Sequence, residues 1–479
     1  MMLAVRGATV VSLGETQDLI GPADILVTDG VITAVGTLTD EQRATCDEII
    51  DASGKLVLPG LVNAHLHSPA SLSAGTVDDV SHPVFMWLNQ ADTANRTPRE
   101  IYVSALVACT QMLLTGTTAV IDHFPEQNFS EDDVAAVVQA YEDSGMRAVV
   151  ALRIWDGEYD DIFPDPASIS PAALSELRAA SPLNPRPLAE TMALVDACIL
   201  RFNGRAGRIA VCPGPSNPSR CSDDLLVACQ RLAESHDVGI HTHLLETSRQ
   251  DQLARARYGR SMVAQLDELG LLTSRLSCAH CIWMDEDGLR RMAAAGAVAV
   301  HNPESNLKFG SGLAPLRDMK RLGVPVALGT DGISQNDNLI LHDAMHLAAI
   351  LHRSGDRDRT HWISAADALK MATLGGARAM RLRGRTGAIE VGMQADLVVY
   401  GQSAPWWQPM NDPVQQMVHA ENGSSVELVM VGGRVLVRDG RVVAYDAEAI
   451  AAETRGMLPD IRRRNATIHR VAQDLQSVL

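Results

Sequence analysis

From residue 61 to about residue 328 the chain repeats one pattern: a short apolar run of strand length, then a longer stretch whose apolar residues recur at helical spacing. The runs are 61–64, 117–121, 148–154, 208–212, 238–242, 276–279, 297–300 and 324–328. Strands separated by helices pair in parallel, because the helix serves as the crossover that a parallel connection needs. Eight such units predict an α/β fold, a closed (β/α)8 TIM barrel over residues 59–384.

Helix punctuation agrees with this reading. Thr97-Pro98-Arg99-Glu100 opens one helix with Pro at its first turn, Ser130-Glu131-Asp132-Asp133 opens another as a capping box with Asp in place of Glu, and Gly145 closes the second of them. Residues 157–187, rich in Asp, Pro and Ser, interrupt the alternation and are expected to form a lid or rim. The two ends read differently: 3–11, 25–28 and 31–35 with a turn at Asp29-Gly30, and 397–400, 426–431 and 434–437 with a turn at Asp439-Gly440, are β segments. Residues 1–58 and 385–479 are therefore expected to build one small composite β-sandwich domain. It ends in a charged helical tail whose Ile461-Arg462-Arg463-Arg464 run forms a solvated face.

Composition narrows the partners. A net charge of −17 argues against nucleic acid and polyanionic membrane surfaces. No uncharged apolar run approaches membrane-spanning length, and Met1-Met2-Leu3-Ala4-Val5-Arg6 lacks a signal-peptide layout, so a cytoplasmic protein with a small-molecule substrate is expected. We also expect a homo-oligomer, a dimer or a tetramer. The eight cysteines, mostly among apolar neighbours, suit reduced core thiols, and the odd spacing of Cys278 and Cys281 sends their thiols to opposite faces of a strand.

The chemistry lies at the C-terminal ends of these strands, where barrel enzymes assemble their sites. The first ends in Ala64-His65-Leu66-His67, the fifth in His241-Thr242-His243-Leu244-Leu245-Glu246, the sixth in His280, the seventh in His301-Asn302-Pro303 and the eighth in Thr330-Asp331-Gly332. Residues two apart on a strand share a face, so His65 and His67 can converge on one point. We assign His65, His67, His243 and Asp331 to one divalent metal ion, Zn²⁺ before Fe²⁺ for this donor set. Such a metal supplies hydroxide near neutral pH. Glu246, spared from ligation, is expected to carry the proton, and His280 to orient the water or stabilise an oxyanion. His241 reads as a core histidine one layer deeper, His123 as either a pocket residue or a helix cap, and His301 as a pocket residue. Serine-hydrolase elbows, phosphate loops and dinucleotide fingerprints are absent from the sequence.

Taken in order, 59–67, 243–246, 279–281, 301–308 and 329–332 resemble the amidohydrolase superfamily, in its mononuclear-metal branch of adenosine-type, guanine and s-triazine aminohydrolases and related chlorohydrolases. The resemblance extends over nearly the whole chain. It implies that Asp331 takes a proton as well as ligating, that Ser305 and Asn306 sit near the mouth of the site, and that Trp87 and Arg153 contact substrate. Binuclear relatives place a Lys or Glu on the fourth strand; 208–216 contains neither, which implies one metal. The function implied is hydrolytic deamination at an amino-bearing carbon of a nitrogen heterocycle such as a purine, pterin, pyrimidine or triazine. The alternatives are hydrolysis of a urea, carbamate or guanidine bond, azine dechlorination, or a barrel that binds metal without catalysis. One departure stands out: Arg96 occupies the position where nucleoside deaminases of this branch carry a ribose-binding acid, so a ring without ribose is expected, unless Asp92 substitutes.

Overall fold

The computed structural model describes the chain except for residues 15–18, 126, most of 158–184, 355–357 and 477–479. The predicted insertion at 157–187 therefore lies almost wholly outside the described residues. The eight predicted strands are all present and all parallel to their sheet neighbours. Leu61–Leu66, Thr117–Phe124, Arg147–Ile154 and Ile209–Pro215 form one four-stranded sheet in sequence order. Ile240–Leu244, Leu276–His280, Val298–His301 and Val326–Leu328 form a second. Hydrogen bonds join the two sheets at both outer edges: Thr242 Oγ1 donates to Pro215 O over 2.7 Å, and Asp331 N donates to His65 O over 3.0 Å.

The strands are buried almost throughout because both faces are covered, and one continuous core runs from Leu61 and Val120 through Val150, Ile240 and Val300 to Leu328. The expected capping box of Ser130 and Asp133 opens Glu131–Ser144, and Thr97 and Glu100 form a second one at the start of Pro98–Leu114. Gly145 ends the latter helix at φ 79°.

Strands from both ends of the chain share a nine-stranded sheet. Its order is Arg441–Val442, Arg434–Arg438, Val426–Val431, Leu397–Tyr400, Leu56–Pro59, Met2–Val11, Leu19–Thr28 and Val31–Gly36, with Glu48–Asp51 also on Met2–Val11. The Asp29-Gly30 turn has positive φ at both residues, as a tight hairpin requires. A Cβ on Gly30 would also stand 2.5 Å from Gly432 O, so this turn packs on the turn of the C-terminal hairpin.

The tail is helical, Ala447–Arg464 and Ala466–Gln476, and Arg462, Arg463 and Arg464 are exposed as expected. It is not solvated on every side. Val471 and Ala472 are buried against Val84, Phe85 and Trp87 of helix His82–Thr93, and Ile468 against Ala91 and Ala94. Asn465 Nδ2 donates to Ala94 O over 2.8 Å. No helix among the described residues is long and apolar enough to cross a membrane. All eight cysteines are free.

Candidate metal centre and active site

The first strand delivers His65 and His67 to one face, and the fifth strand brings His243 opposite them. The ligand atoms of these three rings lie within 4.8 Å of one another, as do those of His65, His280 and Asp331. Asp331 Oδ1 is 3.5 Å from both His65 Nε2 and His67 Nε2. Asn63 holds the first and eighth strands in register from below, donating to Thr330 Oγ1 over 2.7 Å and accepting from Thr330 N over 3.1 Å. Gly329 must be glycine here, because a Cβ would lie 2.9 Å from His65 N and 2.5 Å from Asn302 Oδ1. Asp331 at φ 61° and His280 at φ 74° adopt left-handed backbone conformations that non-glycine residues rarely take, a strain typical of functional positions.

The outer nitrogens of the rings decide what the inner ones can do. His67 Nδ1 donates to His123 O over 2.9 Å and His243 Nδ1 to Ser216 O over 2.5 Å, since a carbonyl can only accept. Both Nε2 atoms are thereby turned inward, and they lie 3.2 Å apart. His65 Nδ1 pairs with His241 Nε2 over 2.8 Å, and His241 Nδ1 with Ser277 Oγ over 2.8 Å. His65 Nε2 is buried and has no hydrogen-bond partner. Burial lowers the pKa of His65 to about 4 and that of His243 well below its ordinary value, so both are neutral near pH 7. Three inward imidazole nitrogens converging beside a carboxylate make a donor set that fits a divalent metal.

Asp331 and Glu246 are held as carboxylates. Burial works against Asp331, but the adjoining His65, His280 and His67 outweigh it and lower the pKa. Ser305 Oγ donates to Asp331 Oδ2 over 2.7 Å and Gly332 N to Oδ1 over 2.9 Å. For Glu246 burial again opposes ionisation, and the charges of His280 and His82 hold the carboxyl down at about 2. The resting Glu246 is thus a carboxylate, able to accept the proton it is expected to carry. His280 Nδ1 pairs with Asn306 Oδ1 over 2.9 Å, which directs Nε2 towards Asp331 Oδ2, 3.9 Å away.

The cavity above these groups is lined by His67, Phe85, Met86, Asn89, Arg153, Asn217, Arg220, His243, Glu246, His280, Asp331 and Gln335. Of the residues expected to bind substrate, Arg153 lines it, with Nε donating to Ser216 Oγ over 3.0 Å. Ser305 and Asn306 sit behind the wall, on Asp331 and His280. Trp87 and His301 are buried outside the lining, Trp87 packing on the C-terminal helix. His241 and His123 lie beneath the ligands, and His123 Nε2 pairs with Gly214 O over 3.1 Å. Phe85, Met86, Asn89, Asn217, Arg220 and Gln335 were not legible as lining residues, since none carries a motif and only the tertiary fold places them.

Arg96 does not reach the cavity. It is buried, with Nη1 donating to Ser104 Oγ over 3.1 Å and Nη2 to Asp92 O over 2.7 Å. Asp92 itself accepts from Thr76 Oγ1 over 2.7 Å and lies 3.3 Å from His469.

Residues 56–436 match the amidohydrolase family. A 5-methylthioadenosine/S-adenosylhomocysteine deaminase of Nitratidesulfovibrio vulgaris is 35% identical over 465 residues, covering 96% of this chain and 97% of its own length. An adenosine deaminase of Xanthomonas campestris, solved with bound zinc, superposes with a TM-score of 0.83 at 29% identity over 96% of this chain and 98% of its own. An atrazine chlorohydrolase of Arthrobacter aurescens, solved with zinc, gives a TM-score of 0.84 at 26% identity over 95% and 100%. With a metal-type donor set at the C-terminal ends of its parallel strands, this chain is an enzyme of the amidohydrolase family that acts on carbon–nitrogen bonds.

Proposed function

We propose that the chain is a zinc-dependent deaminase that releases ammonia from an adenine-type purine carried on a ribose. The observation that carries the ribose is the position of Arg96: it is turned into a buried network away from the cavity, so it does not oppose a nucleoside. The names of the deaminase relatives point the same way. Asn89 and Gln335, on adjoining walls of the cavity, offer neutral amides to sugar hydroxyls.

His65, His67, His243 and Asp331 would hold one metal, and the fourth strand, Ile209–Pro215, adds no acid or amine for a second. When bound, the metal acts as a Lewis acid that makes water nucleophilic near neutral pH. Glu246 takes the first proton from the attacking water and passes it to the ring nitrogen beside the amino-bearing carbon, while the oxygen adds to that carbon. Asp331 takes the second proton and returns it to the amino group, the C–N bond breaks, and an oxopurine and ammonia result. His280 Nε2 orients the water, and Asn306 fixes that ring from behind.

The same reading makes the two four-stranded sheets halves of one distorted barrel over 59–384, supported by the hydrogen bonds at both outer edges. It makes 1–58 and 385–479 a composite β domain around the apolar set Val5, Ile25, Val57, Leu397 and Leu428.

Ammonia release tests the substrate directly. Comparing kcat/KM for methylthioadenosine, S-adenosylhomocysteine and adenosine with adenine and guanine should favour a nucleoside by tenfold or more, about 1.4 kcal/mol of transition-state preference. A free base or a triazine preferred by that margin would overturn the ribose assignment.

A further inference from the structure

Glu246 must accept a proton from one side and release it on another, and a carboxylate that does this needs one oxygen anchored and one free. Its backbone is fixed, because Glu246 N donates to Gln250 Oε1 over 2.8 Å. Among the described residues, His82 is the side chain within ion-pair distance of the Glu246 carboxylate, with Nε2 3.2 Å from Oε1. His82 begins the helix His82–Thr93, which also supplies Phe85, Met86 and Asn89 to the cavity wall. Its ring is wedged beside Phe85 and Phe309, with centroids 6.2 and 6.5 Å away, and those two phenyl rings stack at 4.1 Å.

We propose that His82 is a positioning residue for the proton shuttle, anchoring Glu246 Oε1 from the helix over the mouth so that the second oxygen alone serves the substrate. In the structure the pair is close without being aligned as a hydrogen bond, since His82 Nε2 is buried and has no bonded partner. A small rotation of either side chain closes it, and catalytic hydrogen bonds commonly tighten only with substrate in place. The contact links proton transfer to the wall that grips the substrate.

The groups bearing on Glu246 come from three directions: His82 from the mouth helix, His280 from the sixth strand and Asp331 from the eighth. His82 and His280 favour the carboxylate, and Asp331 opposes it. Removing His82 therefore raises the Glu246 pKa, and because the reaction begins with Glu246 as a base, the acid limb of kcat/KM must move to higher pH.

The proposal rests on the deaminase reading but not on the ribose, so the test uses whichever aminopurine or nucleoside the enzyme turns over best. His82→Phe keeps the packing on Phe85 and Phe309 but cannot reach Glu246; we expect kcat to fall about tenfold or more, a fraction of the 10²–10⁴ attributed to a general acid or base. KM and metal content should be near those of the parent, and the acid limb should shift upward. His82→Gln, which retains a donor, should recover most of kcat. In a Glu246→Gln background His82→Phe should have no further effect, because its partner is already gone. An unchanged kcat and acid limb in a folded, metal-loaded His82→Phe would overturn the proposal. So would a loss of equal size in the Glu246→Gln background, which would mark a merely structural role. Absence of deamination in the parent enzyme would instead reject the reading of the reaction itself.

Discussion

His67 Nε2 and His243 Nε2 stand 3.2 Å apart and turn inward, because each ring uses its Nδ1 hydrogen on a backbone carbonyl. The two residues are 176 apart in sequence, so it is the fold that brings both nitrogens to one point, where they can share a divalent cation.

His67→Ala or His243→Ala should therefore lose bound metal, and chelation should lower the melting temperature of the parent as well as its activity. Restoring zinc to the stripped parent at about 100 times its Kd should return about 2.7 kcal/mol of stability. Metal analysis with thermal unfolding checks both, and a stripped protein as stable as the loaded one would contradict the geometry.

Among the described residues Glu246 hydrogen-bonds Gln250 and no metal ligand, and it lines the cavity. Glu246→Gln should keep its metal and lose about 10² or more in kcat, the range for removing a general acid or base. Loss of metal in this variant would make Glu246 a ligand.

Glu304 is half-buried, but both its carboxyl oxygens are shielded from solvent and find no hydrogen-bond partner. Burial raises its pKa to about 8, with Asp343 adding to the effect. The folded protein thus keeps a proton that the unfolded chain releases above its ordinary 4.5, so stability falls as pH rises from about 4.5 to 8. Glu304→Gln should flatten that decline and raise the melting temperature at pH 8 more than at pH 5. Thermal unfolding at the two pH values measures the difference, and an equal shift at both would show that proton binding is not the cause.

Val471 is buried on the helix that carries Phe85 and Met86 into the cavity. Val471→Asp would place a charge in that apolar contact, at a cost of several kcal/mol if the helix stayed docked, so the last helix should detach instead. We expect kcat/KM to fall by about tenfold or more while metal content holds, because the ligand strands are untouched; a change of 1.4 kcal/mol in transition-state binding suffices. Full activity after this substitution would show that the tail does not support the wall.

The sequence by itself determined the eight strands and where along them the candidate metal donors and proton carrier stand. Strand patterns follow from local burial, and His65, His67, His243 and Asp331 each stand at or just past the end of a strand, where the pattern itself locates them. The Ser130 capping box and the Asp29-Gly30 turn were legible for the same reason: their hydrogen bonds span only a few residues. Only the tertiary structure decided who faces the cavity. Arg96 looked like a residue against ribose until its guanidinium was seen on Ser104 and Asp92, a matter of helix rotation that no spacing encodes. Ser305 and Asn306 turned out to hold Asp331 and His280 from behind the wall, and the tail turned out to pack on the helix at the mouth. His82 meets Glu246 across 164 residues because two loops at one end of the parallel strands fold over the same point, and that meeting is a product of packing.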